Sequence, residues 1–121
     1  MTVLICAHRH SAMAGALLDS GCVPLVRERI DEALDTLRHE QIGGVLVDAA
    51  SADVDALEFV LNVRDIDSAV PILVTASEET LRDLGSTLAK LSSVHLAEAG
   101  ASPEQTVCQL ERIARAGEWH S

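Results

Sequence analysis

The segment GGVLVDAASADVDALEFVLNVRDIDSAVPILVTAS, residues 43–77, decides the fold of this chain. It contains two short aliphatic runs, residues 44–47 and 70–75, and both are nearly continuous rather than alternating with polar residues. Runs of this kind are typical of strands that are covered on both faces. Between them apolar residues recur at helical spacing, namely Leu57, Val60 and Leu61. The segment therefore predicts a strand, a helix and a second strand parallel to the first.

The same alternation extends in both directions along the chain. Further aliphatic runs cover residues 3–7, 23–26 and 94–97. Apolar faces at helical spacing follow them, at Ile30, Ala33, Leu34 and Leu37, at Leu81, Leu84, Leu88 and Leu91, and at Val107, Leu110 and Ile113. A short helix over residues 11–19 is expected to end at Gly21. We predict one α/β domain over residues 1–121, with a doubly wound parallel sheet of order 2-1-3-4-5, five helices and a tail at 117–121.

Helix-start signals support these boundaries. Ser102, Pro103 and Gln105 form the pattern of a capping box with proline at the first helical position. Ser77 is placed to cap the helix that contains Leu81. The last two helices should therefore begin directly after Ser102 and Ser77.

The candidate site follows from the topology. In an open α/β sheet, ligands bind beyond the carboxyl ends of the strands, where the winding reverses. In the order 2-1-3-4-5 that point lies between the first and third strands. The side chains near it should be those at the strand ends, namely Ala7, His8, Arg9 and His10 after the first strand, Asp48 at the third, Thr75 at the fourth and Glu98 at the fifth.

Residues 43–77 resemble the central segment of a bacterial response-regulator receiver domain, which has a flavodoxin-like fold. The resemblance places Asp48 at that family's phosphoacceptor aspartate and Thr75 at its conserved hydroxyl position. It places His95, in VHLAEAG, where a switch tyrosine or phenylalanine usually stands. The resemblance covers nearly the whole chain in element order and spacing, and it implies a role in two-component or phosphorelay signal transduction.

The chain departs from the family at the positions that support phosphorylation. Ala7 and His8 stand where receivers carry an acidic pair that holds Mg²⁺, and Asp48 alone leaves that metal site under-charged. Glu98 replaces the lysine that pairs with the phosphoryl group, and Ala99 replaces the proline after it. Because phosphoryl transfer depends on positioning and charge neutralisation, we expect a pseudo-receiver with weak or absent Mg²⁺ binding, no cofactor and no enzyme activity.

Other interpretations of these residues stay open. Asp48 could still accept a phosphoryl group in an atypical receiver, or it could simply bond to loop amides, His8 or Arg9. His8 and His10 could join Asp48 in a Zn²⁺ site, although two histidines in a loop are a weak motif. As a lesser alternative, the loop ICAHRHSAMAGALL resembles that of mannose-type sugar-phosphotransferase IIA subunits, which would make His10 a phosphocarrier.

Charge and cysteine content limit the functional class. The net charge of −10 would repel nucleic acid, so we expect no direct nucleic-acid binding. Cys6, Cys22 and Cys108 lack metal-ligand spacing and are expected to be packing residues in a reducing cytoplasm. The chain contains no apolar stretch long enough to span a bilayer. We therefore expect neither a membrane nor a nucleic-acid partner.

A protein is the expected partner. In receivers, the face formed by the fourth helix, the fifth strand and the fifth helix often mediates dimerisation or output contacts. The resemblance places this face at residues 81–91, 94–98 and 102–116. It implies a protein partner or a fused output domain, or a homodimer through this face, and the chain could be a stand-alone regulator or part of a longer protein.

Overall fold

The computed structural model describes residues 1–7, 12–49, 55–91 and 93–119, and for residues 116–119 it describes the backbone alone. Strands and helices alternate along the chain. The strands are β1 (Thr2–Cys6), β2 (Val23–Arg27), β3 (Gly44–Asp48), β4 (Ile72–Ala76) and β5 (Val94–Glu98). The helices are α1 (Met13–Asp19), α2 (Ile30–His39), α3 (Ala56–Ile66), α4 (Glu78–Ala89) and α5 (Pro103–Trp119).

The five strands form one parallel sheet in the order β2-β1-β3-β4-β5. This confirms the predicted flavodoxin-like, doubly wound sheet of order 2-1-3-4-5 with five helices. β1 lies between β2 and β3, so the winding reverses between β1 and β3. The carboxyl ends of these two strands, at Cys6 and Asp48, flank that point.

Two hydrophobic clusters cover the two faces of the sheet. In β1, Leu4 packs into the cluster with α2 and α3, whereas its neighbour Ile5 packs into the cluster with α1 and α5. The same alternation holds in β3 and β4, because successive strand residues point to opposite faces. Consequently α1 and α5 lie side by side on one face, and α2 and α3 lie on the other.

The helix ends explain where the chain turns. The amide of Gln105 donates to Ser102 Oγ at 3.2 Å and the amide of Ser102 donates to Gln105 Oε1 at 3.1 Å, so the predicted capping box is confirmed. Ser77 caps α4 by accepting from the amide of Thr80 at 3.2 Å. At the end of α1, Gly21 has φ +89°, a left-handed conformation that favours glycine.

Replacing either of two neighbouring glycines by alanine should change the free energy of unfolding in opposite directions. Gly21→Ala forces a Cβ into the left-handed region, at an expected cost of about 1–2 kcal/mol in the free energy of unfolding. Gly15→Ala, inside α1 with nothing within 4 Å of an added Cβ, should stabilise by about 0.5–1 kcal/mol. Urea denaturation measures both values. Gly100→Ala, which has open space and no positive φ, is the control, and equal effects at residues 15 and 21 would contradict the assignment of the turn.

Two details of the helices differ from the prediction. Leu61 of α3 is 46% exposed, while Phe59, Val60 and Val63 are fully buried. One residue corresponds to about 100° around a helix, so a face centred on Phe59 and Val60 turns Leu61 towards solvent. The backbone of α5 continues to Trp119, so residues 117–119 are helical rather than a tail. None of the helices within the described residues combines the length and apolarity needed to span a membrane.

Candidate functional site

Asp48 and Thr75 lie next to each other at the carboxyl ends of the two central strands. They are partners in the β3–β4 register, and both side chains are buried, at 8% and 1% exposure. The Thr75 hydroxyl donates to Asp48 Oδ1 at 3.1 Å, and it lies 3.4 Å from the carbonyl oxygen of Val47. Asp48 and Thr75, which the sequence predicted to lie close together, are therefore joined by a direct hydrogen bond.

The backbone holds this pair in place. The amide of Ala49 donates to the carbonyl of Thr75 at 2.8 Å, which extends the β3–β4 pairing one residue past Asp48. On the other side of β4, the amide of Ala99 donates to the carbonyl of Ala76 at 2.9 Å. Asp48 thus projects from the rigid end of a strand rather than from a loop, with its carboxylate anchored by Thr75.

The end of β1 contributes an apolar residue to the site. Ala7 is fully buried, its amide donates to the carbonyl of Arg27 at 3.1 Å, and its methyl group belongs to the cluster under α1 and α5. Within strands β1, β3 and β4, Asp48 is the only carboxylate. Across the described residues, no three histidine, cysteine, aspartate or glutamate side chains are grouped so that they could hold a metal ion.

The end of β5 places a negative charge on the other side of Thr75. Glu98 pairs with Ala76 in the β4–β5 register and is exposed. Neighbouring strands lie about 4.8 Å apart, so the backbones of β3 and β5 at this edge are about 10 Å apart. The charged residue at the end of β5 is therefore an acid, two strands away from Asp48.

His95 lies three residues before Glu98 on the same strand. It pairs with Leu73 and its side chain is exposed. The predicted switch position is thus solvent-accessible on the edge strand of the sheet.

The loop after β1 and part of the loop after β3 lie outside the described residues. His8, Arg9 and His10 fall in the first of these, and residues 50–54 fall in the second. The interpretations that depend on them stay predictions, namely neutralisation of Asp48 by His8 or Arg9, a Zn²⁺ site with His8 and His10, and a phosphocarrier role for His10.

The three cysteines differ in environment. Cys6 and Cys22 are buried in clusters on opposite faces of the sheet, and burial raises the pKa of the Cys6 thiol to about 11. Cys108 is exposed on α5, so the prediction that it is a packing residue is wrong. The buried face of α5 runs through Val107 and Leu110, and Cys108 is turned about 100° from Val107.

Arg64 of α3 makes structural hydrogen bonds that the sequence did not indicate. Arg64 donates to the carbonyl of Asp67 at 3.1 Å and to the carbonyl of Ser93 at 3.3 Å, which ties the end of α3 to the turn before β5. Burial lowers the pKa of the Arg64 guanidinium, and the nearby Asp67 carboxylate opposes that effect. Ser93 has φ +58°, so the turn that Arg64 holds is a left-handed one.

A second feature that the sequence did not reveal is a seam between α1 and α5. A groove of about 200 Å³ opens there, and it continues into a second one of about 240 Å³ towards the amino ends of the strands. The available signal was the pattern of small residues that line the seam, namely Ala16 of α1, Ser20 at its C-cap and Ala114 of α5. Small residues alone do not predict which helices become neighbours.

No known family profile matches the sequence, and no curated protein is significantly similar to it. Solved structures are similar in fold. A CheY-like receiver domain protein of Methanospirillum hungatei JF-1 has a TM-score of 0.83 and 12% identity, over 99% of this chain and 98% of that one. A switch described as transiently phosphorylated in bacterial signal transduction has a TM-score of 0.80 and 16% identity, over 97% of this chain and 96% of that one.

A third similar structure is a redox sensor of the streptococci, described as evolved from two-component response regulators. It has a TM-score of 0.82 and 13% identity over 98% of this chain. The chain spans about half of that protein, 53% of its length. The same fold thus serves a phosphorylated switch in one neighbour and a redox sensor in another. The comparisons show that this chain has the CheY-like, flavodoxin-type fold of response-regulator receiver domains.

Proposed function

We propose that this chain is a receiver-like signal-transduction module that acts through protein–protein contacts and is not phosphorylated in the usual Mg²⁺-dependent way. The observation that carries the proposal is the pairing of Asp48. Its carboxylate is buried and accepts a hydrogen bond from Thr75, with buried Ala7 at the end of β1 and acidic Glu98 at the end of β5.

The charges around Asp48 oppose phosphorylation. A phosphoryl group adds negative charge, and its transfer depends on cations that neutralise that charge. Ala7 supplies no carboxylate for Mg²⁺, and Glu98 repels a phosphoryl group where a lysine would attract it. The strand backbones at Asp48 and Glu98 are about 10 Å apart, a little beyond the Debye length of roughly 8 Å at physiological salt, so this repulsion is partly screened.

The same reasoning supports a module with neither enzymatic chemistry nor a cofactor. Mg²⁺ usually requires one or two carboxylates beside the phosphoryl group, and Asp48 is here engaged by Thr75. The Thr75 hydroxyl is already turned towards Asp48. We infer that the pair is held in one arrangement, so that the domain presents a fixed surface.

The face of α4, β5 and α5 is our proposed partner surface. Leu88 is the single buried residue of α4, while Leu81 and Leu84 are half-buried beside it. The helix approaches β5 closely at Gly85, where an added Cβ would lie 3.5 Å from Leu96 Cδ1. A half-buried aliphatic stripe on a closely packed helix suits a protein partner, a fused output domain or a second copy of the chain.

We further propose a reducing, cytoplasmic location. All three cysteines are free, and the two buried ones are separated by the sheet. Free thiols persist in a reducing compartment.

The test is an amide NMR titration with Mg²⁺ and beryllofluoride, a phosphoryl mimic. We expect the signals of Asp48, Thr75 and His95 to stay unchanged, both in the wild type and in Asp48→Asn. Large shifts in the wild type that disappear in Asp48→Asn would overturn the proposal in favour of an atypical receiver phosphorylated on Asp48.

The lesser alternative, a phosphocarrier that uses His10, is distinguished from phosphorylation of Asp48 by the chemical stability of the phosphoryl linkage. After incubation with phosphoryl donors, a phosphohistidine is acid-labile, whereas an acyl phosphate on Asp48 is labile to base and hydroxylamine. We expect neither species. An acid-labile phosphate lost in His10→Ala would establish the phosphocarrier instead.

A further inference from the structure

The seam between α1 and α5 has the shape of a binding trough. Both helices follow strands of one parallel sheet on the same face, so they run side by side in the same direction. We call the two grooves together the α1–α5 trough. Its upper compartment, of about 200 Å³, is lined by Ala16, Asp19, Ser20, Glu104, Val107, Cys108 and Glu111. Its lower compartment, of about 240 Å³, is lined by Met1, Ser20, Gly21, Cys22, Glu111, Ala114 and Arg115.

The floor of the trough is apolar and its upper rim is acidic. Ala16 and Val107 are buried, and both belong to the hydrophobic cluster beneath the seam. The charged side chains that line the upper compartment are Asp19, Glu104 and Glu111, and all three are acidic. The charge of Glu111 is shared with Arg115 at 3.5 Å, while no ion pair joins Asp19 or Glu104 to another described residue.

The lower end of the trough carries an exposed apolar side chain. Met1 lines the lower compartment and is 43% exposed. The carbonyl of Met1 accepts from the amide of Val23 at 2.9 Å, which fixes the start of β1 beside β2. Met1 therefore offers a partner an apolar contact at this end of the groove.

We propose that the α1–α5 trough docks a basic amphipathic helix of a partner protein. Aliphatic side chains of that helix would enter the two compartments and cover Met1, and lysines or arginines beside them would meet Asp19 and Glu104. A seam between two parallel helices accepts a third helix lying along it. Charge complementarity selects a basic sequence, because the rim and the whole chain are acidic.

Charge also decides against two other occupants. A second copy of the chain in a two-fold dimer would bring this acidic rim against itself, and like charges facing each other are unfavourable. An anionic membrane would be repelled by the same carboxylates. The trough shares α5 with the face of α4, β5 and α5, but its other wall is α1. Its use does not depend on the state of Asp48, so this proposal can fail or hold independently of the phosphorylation part of the proposed function.

The probe is a pair of synthetic helical peptides of about 16 residues. One carries a leucine stripe flanked by lysines, and the other has glutamate in place of each lysine. We expect the lysine peptide to bind the whole chain, to shift the amide signals of Ala16, Ser20 and Val107, and to bind more weakly as salt is raised. The glutamate peptide should not bind measurably.

A double charge-reversal variant tests whether the lysine peptide binds in the trough. Asp19→Lys with Glu104→Lys should weaken binding of the lysine peptide by about tenfold or more. The matched control is Asp65→Lys with Glu79→Lys, which makes the same change in net charge on other helices. Asp65 is in the last turn of α3 as Asp19 is in that of α1, and Glu79 is the second residue of α4 as Glu104 is of α5. The control should bind within about twofold of wild type.

Cys108 supplies a second readout inside the trough. It is the single exposed cysteine among the three, so alkylation of the native protein should modify it first, and the lysine peptide should slow that reaction. Equal binding of both peptides, equal loss in the two double variants, or unchanged alkylation of Cys108 would overturn the proposal. Two further results would overturn the proposal: a dimer detected by light scattering, or binding to phosphatidylserine vesicles, if Asp19→Lys with Glu104→Lys abolishes it.

Discussion

The triple variant Ala7→Asp, His8→Asp, Glu98→Lys is expected to bind Mg²⁺ and beryllofluoride, with the shifts centred on Asp48 and Thr75. It restores the two carboxylates and the lysine that the resemblance to receivers implies. Two unit charges 4 Å apart interact by about 4 kcal/mol at the effective dielectric of a protein surface, and each 1.4 kcal/mol is a factor of ten in affinity. Even strongly screened, the two added carboxylates should tighten Mg²⁺ binding by at least about a hundredfold, and the lysine should favour the anionic beryllofluoride.

Stability provides an independent measurement of the same variant. Ala7 is fully buried, so an aspartate there is an unpaired buried charge and should lower the free energy of unfolding in EDTA by several kcal/mol. Mg²⁺ should restore part of that loss because it binds the folded state, whereas the wild type should be insensitive to Mg²⁺. Thermal unfolding with and without Mg²⁺ records both effects.

The matched control for the lysine is Asp65→Lys, which changes net charge equally but lies in the last turn of α3, at the opposite edge of the sheet from Asp48. A folded triple variant that ignores Mg²⁺ and beryllofluoride would show that charge at Ala7, His8 and Glu98 is not what prevents phosphorylation. The cause would then have to lie in the geometry of the loops around Asp48.

The sheet was predictable because its signal is local and repeated. Each strand is a short aliphatic run between helical segments, and alternation of this kind leaves few topologies. Boundaries were less predictable. The fourth strand was expected from residue 70 but begins at Ile72, because the amide of Val70 donates to Asp67 Oδ1 at 3.0 Å and Pro71 has no amide hydrogen.

The candidate site was predictable in position but not in bonding. Register places Asp48 opposite Thr75, and the sequence identified both residues from their places at the strand ends. The hydrogen bond between them depends on a side-chain rotamer that no sequence pattern encodes. The α1–α5 trough depends in the same way on the packing of two helices that lie far apart in the chain, and Cys108 became part of it because α5 turns that residue outwards.

Phe59→Ala is expected to destabilise the domain by about 3–5 kcal/mol. Phe59 is the only phenylalanine of the chain and is fully buried, in a cluster otherwise made of aliphatic side chains and one cysteine. Small aliphatic neighbours on a sheet cannot move far enough to fill the space of an aromatic ring, so a cavity should remain. Domains of this size are commonly stable by about 5–15 kcal/mol, so this one change should remove a large part of the total.

Leu61→Ala is the matched control, because Leu61 lies on the same helix, is also truncated to alanine and is 46% exposed. Leu61→Ala should lower the free energy of unfolding by less than about 1 kcal/mol, since about half of the side chain is already in water. Urea denaturation of both variants gives the comparison, and Phe59→Leu should fall between them. Similar losses for Phe59→Ala and Leu61→Ala would mean that α3 packs on the face first suggested by Leu57, Val60 and Leu61. In that case the sheet would meet a different side of the helix that follows Asp48.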